Sequence, residues 1–229
     1  MNINILHLVE GAKAARGLTV IIDVFRAFSM EAYFLANGAK AIIPVGDADL
    51  AYRLKAAYPE AILAGERHGK ILPGFDIGNS PTDLLRLDVQ GKTVIHTTSA
   101  GTQGVANAFD ADEILGGSLV NAHATAEYIR RSGAKEVSLV CMGLEALAPA
   151  DEDTLCACYI KSILEGAPID LTSEIDKLRY TTGAKFFDPA QNDVFPRNDF
   201  FMCTDVDKFN FVMRLRSENG LQFMESHHL

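Results

Sequence analysis

Leu18-Thr19-Val20-Ile21-Ile22 is a short apolar, β-branched run that ends on Asp23, and Val24-Phe25-Arg26 follows it. Such a run reads as a buried strand whose carboxyl end carries an acid. Residues 27–37 continue as a helix, closed by Gly38 as a left-handed cap. Outward from there the same rhythm repeats. Strands are predicted over 40–45, 61–65, 92–96, 113–116 and 137–141, and helices over 48–58, 102–109, 122–132 and 153–164. Apolar strands alternating with helices imply an α/β protein, three-layer α/β/α, with a mainly parallel or mixed central sheet and right-handed crossovers.

Beyond Gly166 the rhythm changes. Residues 171–180 read as one helix and 186–199 as loop, while the aromatic stretches 200–204 and 209–215 read as a hairpin or an antiparallel edge. The chain is read as a single domain, 1–229, with 167–229 a C-terminal extension packing on the sheet. Its end, 225–229, reads as frayed, with His227 and His228 solvated.

A chain of 229 residues can bury a sizeable core, and its 48% hydrophobic fraction is ordinary. No stretch approaches the ~20 apolar residues of a membrane span. A net charge of −9 with no basic stripe argues against a nucleic-acid partner. The opening residues lack the basic region and cleavage pattern of a signal peptide, so the cytoplasm is the expected address. Cys141, Cys156, Cys158 and Cys203 form no metal pattern, and Cys156 and Cys158 read as buried reduced thiols. Cys141 ends a strand but has Leu147 where a cysteine-dependent phosphatase needs an arginine.

In an open parallel sheet, ligands bind at the shared carboxyl edge of the strands. Four signals fall there. Asp23 reads as a metal ligand or nucleophile and Arg26 as an oxyanion clamp, or else the two are a helix cap and its ion pair. Glu66 and Arg67 repeat the carboxylate–guanidinium pairing at a second strand end, unless they are a solvated turn. The loop Pro73-Gly74-Phe75-Asp76-Ile77-Gly78-Asn79-Ser80-Pro81 offers Asp76, Asn79 and Ser80 on a backbone rich in conformational specialists. Thr97-Thr98-Ser99-Ala100-Gly101-Thr102 opens a helix with hydroxyls and amides suited to an anion, or simply N-caps it. The acidic triplet Asp151-Glu152-Asp153 also opens a helix, where capping alone would favour it; its place at the same edge favours a metal-binding role for the triplet. Carboxylates suit a hard divalent cation, so the combination suggests magnesium-assisted chemistry on a small phosphorylated molecule.

These motifs, in this order, resemble the magnesium-dependent 2-phosphosulfolactate phosphatases of the coenzyme M pathway and their bacterial relatives. The likeness spans about 18–160 and rests on Val20-Ile21-Ile22-Asp23-Val24-Phe25-Arg26-Ala27, Leu63-Ala64-Gly65-Glu66-Arg67, the 73–81 loop, Thr97 to Thr102, Gly116-Gly117-Ser118-Leu119-Val120-Asn121-Ala122 and Glu152-Asp153-Thr154-Leu155-Cys156-Ala157. The resemblance implies hydrolysis of a phosphate monoester of a small 2-hydroxy acid, 2-phospho-3-sulfolactate to 3-sulfolactate and phosphate, and suggests a homodimer. It implies Mg2+ held by some of Asp23, Glu66, Asp76 and Asp153, with Arg26, Arg67, Asn79, Ser80, Thr97, Thr98, Ser99, Gly101 and Thr102 around the substrate. The alternatives are another phosphorylated carboxylic acid as substrate, or a non-catalytic binding module for such a metabolite. Three departures from the family pattern bear on the substrate: Phe28-Ser29-Met30 replaces a threonine-rich run, His68-Gly69-Lys70 a glycine-rich turn, and Ala100 an asparagine. A haloacid-dehalogenase-type route lacks its motif, since Asp205-Val206-Asp207 is followed by Lys208-Phe209 without the hydroxyl.

Overall fold

The computed structural model describes residues 1–167 and 169–229. The chain begins with β1 (Asn2–His7), α1 (Leu8–Ala14), β2 (Gly17–Ile22), α2 (Ala27–Ala36), β3 (Ala41–Pro44) and α3 (Ala48–Ala57). It continues through β4 (Ile62–Arg67), β5 (Lys70–Ile71), α4 (Pro81–Leu84), β6 (Thr93–Thr97), α5 (Gly101–Asn107) and β7 (Ala111–Gly117). The remainder is α6 (Ala122–Ser132), β8 (Glu136–Cys141), α7 (Asp151–Glu165), α8 (Leu171–Leu178), α9 (Arg197–Cys203) and the hairpin β9 (Phe211–Glu218) and β10 (Leu221–His228).

The strands form one mixed sheet in the order β1-β8-β2-β7-β9-β10-β3-β6-β4-β5. One parallel leaf holds β1, β8, β2 and β7, and a second holds β3, β6 and β4. The β9–β10 hairpin joins them, antiparallel to β7 on one side and to β3 on the other. Three successive reversals make the two leaves run in opposite senses.

Period-2 alternation assigns each strand face to its own layer. In the first leaf Val20, Ile22, Val137 and Leu139 pack with Ala126, Ile129, Ala157 and Ile160 of α6 and α7. Their neighbours Ile21 and Val140 turn to the opposite face, among Phe28 and Phe34 of α2 and Val105 of α5. Ile42, Ile62 and Val94 of the second leaf face that same α2 cluster, whereas Ile43, Leu63 and Ile95 pack on Ala51 and Leu54 of α3. The result is the three-layer α/β/α arrangement that the sequence implies. Helix α2 is enclosed from Ala27 to Leu35, as a helix packed on both leaves must be.

Two helices carry the chain between leaves. α2 leads from β2 to β3, and α5 leads from β6 back to β7 while packing on α1 and β2. The carboxyl ends of β2 and β6 belong to oppositely running leaves, and these crossovers bring them together.

The C-terminal segment departs from expectation in three ways. Phe200 to Cys203 belong to a helix rather than a strand. The hairpin spans Phe211–Glu218 and Leu221–His228 and lies in the interior of the sheet order, not at its edge. The terminal residues are not frayed: His227 and His228 pair with Val212 and Phe211 of β9, although both rings are solvent-exposed as expected. Strand β1 has no counterpart in the sequence reading, because Asn2 and Asn4 interrupt its apolar pattern. All four cysteines are unpaired; Cys158 is only half-buried, short of the burial expected for it. Burial raises the Cys141 thiol pKa, which suits an inert core residue.

Candidate active site

Asp23 leaves β2 buried, its Oδ1 accepting the Ala27 amide at 3.1 Å as the first turn of α2 begins. The Gly101 amide at the start of α5 also faces it. A side chain at residue 101 would meet Ala27 Cβ at 2.6 Å and Asp23 Oδ2 at 2.9 Å, so only glycine lets the two helix starts close on one carboxylate. The Asp23 carboxyl is pushed up to about 7, chiefly by burial and then by the charges of Glu66 and Glu152, against the pull of these two amides.

Glu66 ends β4 with both oxygens engaged. Oε1 accepts the Ser99 amide at 2.7 Å, while Oε2 accepts the Gly69 amide at 2.7 Å and the Ser99 hydroxyl at 3.1 Å. The carboxylate therefore ties the turn after β4 to the turn after β6. Glu152, one residue into α7, accepts the Thr182 hydroxyl on Oε2, and burial raises its carboxyl pKa.

Arg26 is buried opposite these acids. Its Nη1 donates to Asp199 Oδ2 at 2.8 Å and to the Val194 carbonyl at 2.9 Å, and its Cζ lies 4.9 Å from the Phe195 ring centroid. Asp199 Oδ1 accepts the Ser80 hydroxyl and the Thr82 amide, so α4 and α9 jointly fix the guanidinium. Lys185 lies on a 3-10 turn, Ala184–Phe187, and completes the cationic side; burial lowers its ammonium pKa and Glu152 opposes that shift. Asp23, Arg26, Glu66, Glu152, Lys185 and Asn79 all line one cleft, together with His68 and Glu145, which meet Nδ1 to Oε1 at 2.9 Å.

The other expected site residues lie elsewhere. Asp76 is exposed; its Oδ2 accepts the Leu63 amide at 2.8 Å and lies 3.7 Å from Lys55, near the start of β4 and away from the cleft. Asp153 is buried beside the cleft, but Oδ1 accepts the Val24 amide and Oδ2 the Gly143 amide, both at 2.8 Å. It clips the ends of β2 and β8 together, and burial followed by Asp23 and Glu152 raises its carboxyl pKa well above the ordinary value. Arg67 points away from the cleft, donating to the carbonyls of Glu66 and Gly46 and to Thr97 Oγ1.

The Thr97–Thr102 turn is also less open to an anion than its sequence suggests. The Thr98 amide donates to Thr102 Oγ1, the Ser99 amide to Glu66 and the Thr102 amide to Thr98 Oγ1. Of that turn, Ser99 and Ala100 reach the cleft. Asn79 reaches it with a buried Oδ1 that has no partner, whereas Ser80 faces Asp199.

Fit to a divalent cation follows from the donors. Among the described residues no cluster of three His, Cys, Asp or Glu is preassembled for a metal, so the four-carboxylate set read from the sequence does not form. Asp23 and Glu152 line the cleft together, and each is held reluctant to ionise. One or two carboxylates completed by substrate phosphate and water is the ordinary way to hold magnesium, and this pair fits it.

The sequence reading named Glu152 only as part of the acidic triplet, without singling it out as a ligand, and passed over Lys185 and Asp199. For Glu152 a signal was present: Cys156, Ala157 and Ile160 mark the buried stripe of α7, and one turn earlier that stripe falls on Glu152 and Asp153. Lys185 and Asp199 lie in short turns and a helix start that have no periodicity to read.

The model of the 2-phosphosulpholactate phosphatase family matches residues 3–218. A Bacillus subtilis protein named "Probable 2-phosphosulfolactate phosphatase" is 30% identical over 214 residues, covering 93% of this chain and 92% of its own length. Proteins of the same name from Caldanaerobacter subterraneus subsp. tengcongensis and Carboxydothermus hydrogenoformans are 32% identical over 88% of both chains and 38% identical over 76% and 72%, respectively. The match runs from β1 into the central hairpin, and so takes in every strand end that supplies the cleft: this chain belongs to the 2-phosphosulpholactate phosphatase family.

Proposed function

We propose that the cleft hydrolyses the phosphate monoester of a small 2-hydroxy acid, 2-phospho-3-sulfolactate first among the candidates, with Mg2+ assisting. The observation that carries the reading is the convergence of Asp23, Glu66 and Glu152 with Arg26 and Lys185 on one cleft, alongside the family membership.

Asp23 and Glu152 are the residues that would hold the metal, which when bound offsets negative charge on the phosphoryl group. Arg26, prefixed by Asp199 and Val194, presents its guanidinium without having to reorganise. Glu66 positions Ser99 and Gly69 at the rim. The ester bond broken joins phosphorus to the C2 oxygen, and water supplies the oxygen that leaves with phosphate.

The departures at Phe28-Ser29-Met30 matter little for specificity. Phe28 and Met30 are core residues, and the Ser29 hydroxyl donates to the Val24 carbonyl. Ala100 and His68 do line the cleft, and they are where reading of the non-reacting end differs from the family pattern.

The test is phosphate release from 2-phospho-3-sulfolactate, phospholactate and phosphoglycolate, with magnesium or with EDTA. Release that requires magnesium and is fastest with the sulfonate is expected. Binding of all three without turnover would replace the enzyme by a binding module, and equal rates in EDTA would remove the metal.

A further inference from the structure

We propose that Lys185 and Arg26 form a two-cation clamp on the phosphoryl dianion, with Lys185 supplying a charge that, among the described residues, is held in no ion pair. The inference rests on the phosphatase reading above and assigns a residue outside the strand-end motifs.

The two cations are gathered over the same pair of rings. Arg26 Cζ is 4.9 Å from the Phe195 centroid and 5.9 Å from that of Phe186; Lys185 Nζ is 5.2 Å and 5.5 Å from the same two. Holding like charges together in a partly buried place is unfavourable unless anions answer both. Asp199 answers Arg26, ion-paired at 2.8 Å. Among the described residues no carboxylate comes within ion-pair distance of Lys185, and the acidic charges that act on it are Glu152 first, then Asp23 and Asp153. Ring faces give a cation about 0.5–1 kcal/mol at an exposed site and about 2 kcal/mol when desolvated, and they carry no compensating negative charge.

The segment is placed firmly. A side chain at Gly183 would meet the Leu178 carbonyl at 2.7 Å and Phe200 at 2.7 Å, so the turn before Lys185 is packed against the aromatic cluster of Leu178, Phe186 and Phe200. Thr182 is tied to Glu152. The lysine thus lines the same cleft as Glu152, Arg26 and Asp23, beside the Phe195 ring that also covers Arg26. A phosphoryl group carries two negative charges and several acceptors, and it satisfies both cations at once.

The experiment measures affinity for inorganic phosphate, which needs no turnover, by calorimetry and by product inhibition in wild type, Lys185→Met, Lys185→Gln and Lys185→Arg. Charge-assisted hydrogen bonds of the usual strength predict about tenfold or greater weakening in K185M and K185Q, and much smaller loss in K185R. Without phosphate the neutral variants should lose no more stability than the ring contacts supply, since among the described residues the ammonium has no hydrogen-bond acceptor. Phosphate affinity within about twofold of wild type in both neutral variants overturns the clamp. So does weakened binding of 3-sulfolactate with phosphate affinity intact, which would move Lys185 to the other end of the substrate. Lysine-dependent phosphate binding in a chain that turns over no ester would leave the clamp standing and sink the phosphatase reading instead.

Discussion

Arg26 and Asp199 stand 173 positions apart in the chain, yet their side chains meet at 2.8 Å with both enclosed by protein. A buried pair of this kind contributes little net stability by itself, but removing one member strands the other. Asp199→Ala should cost about 3–5 kcal/mol in urea unfolding and lower kcat/KM with it. Replacing both, Arg26→Met with Asp199→Leu, should return the part due to the stranded guanidinium but not the part lost with the Ser80 and Thr82 donors, and none of the turnover. A single Asp199→Ala variant as stable as wild type would show the pair to be ornamental.

Asp23 binds its proton more tightly in the folded chain, at about 7, than an ordinary aspartate does at 3.8. That contribution to stability is complete at acid pH, below the unfolded value, and is lost as pH rises through the folded one. In metal-free buffer wild type should therefore lose up to a few kcal/mol between about pH 5 and 8, whereas Asp23→Asn should lose distinctly less. The same variant should release no phosphate. Parallel pH–stability curves for the two proteins would contradict the raised carboxyl.

Asp153 is expected to act through the backbone. Its replacement by alanine leaves the Val24 and Gly143 amides without their acceptor, at a cost of about 1–3 kcal/mol for each unpaired donor. Asp153→Ala should lower the denaturation midpoint and loosen the β2 and β8 ends, visible as faster amide exchange at Val24 and Gly143. Unchanged protection at both amides would remove the clip.

Asp76 supplies the contrast. Exposed and engaged with Leu63 and Lys55, it should be dispensable to chemistry, so Asp76→Ala should keep kcat and the magnesium response within about twofold. A collapse in magnesium response would return Asp76 to the metal set read from the sequence.

The sequence carried the strand–helix alternation well because the inner parallel strands are covered on both faces, so they read as short, mostly apolar runs, as in β2 and β8. It also located the strand ends that converge, and with them Asp23, Glu66 and the Ser99–Gly101 turn. Which way each side chain faces was not legible. Asp76 and Asn79 are three residues apart on one loop, yet Asn79 reaches the cleft and Asp76 caps Leu63. Arg67 looked like Arg26 in pattern, but its guanidinium is taken up by carbonyls and Thr97. Residues 200–204 were misread because Phe200 serves packing against Phe186, where aromatic content says nothing about helix or strand, whereas 209–215 largely coincides with β9.

The joining of two oppositely running leaves by β9 and β10 has a consequence for biogenesis. Both leaves are synthesised before the pair of strands that seals them, so a growing or C-terminally trimmed chain presents the raw flanks of β7 and β3 to the surrounding solution. Unpaired flanks of that kind recruit other chains. Tags, truncations and proteolysis at the carboxyl terminus should therefore show up first as insolubility, before any change in the cleft.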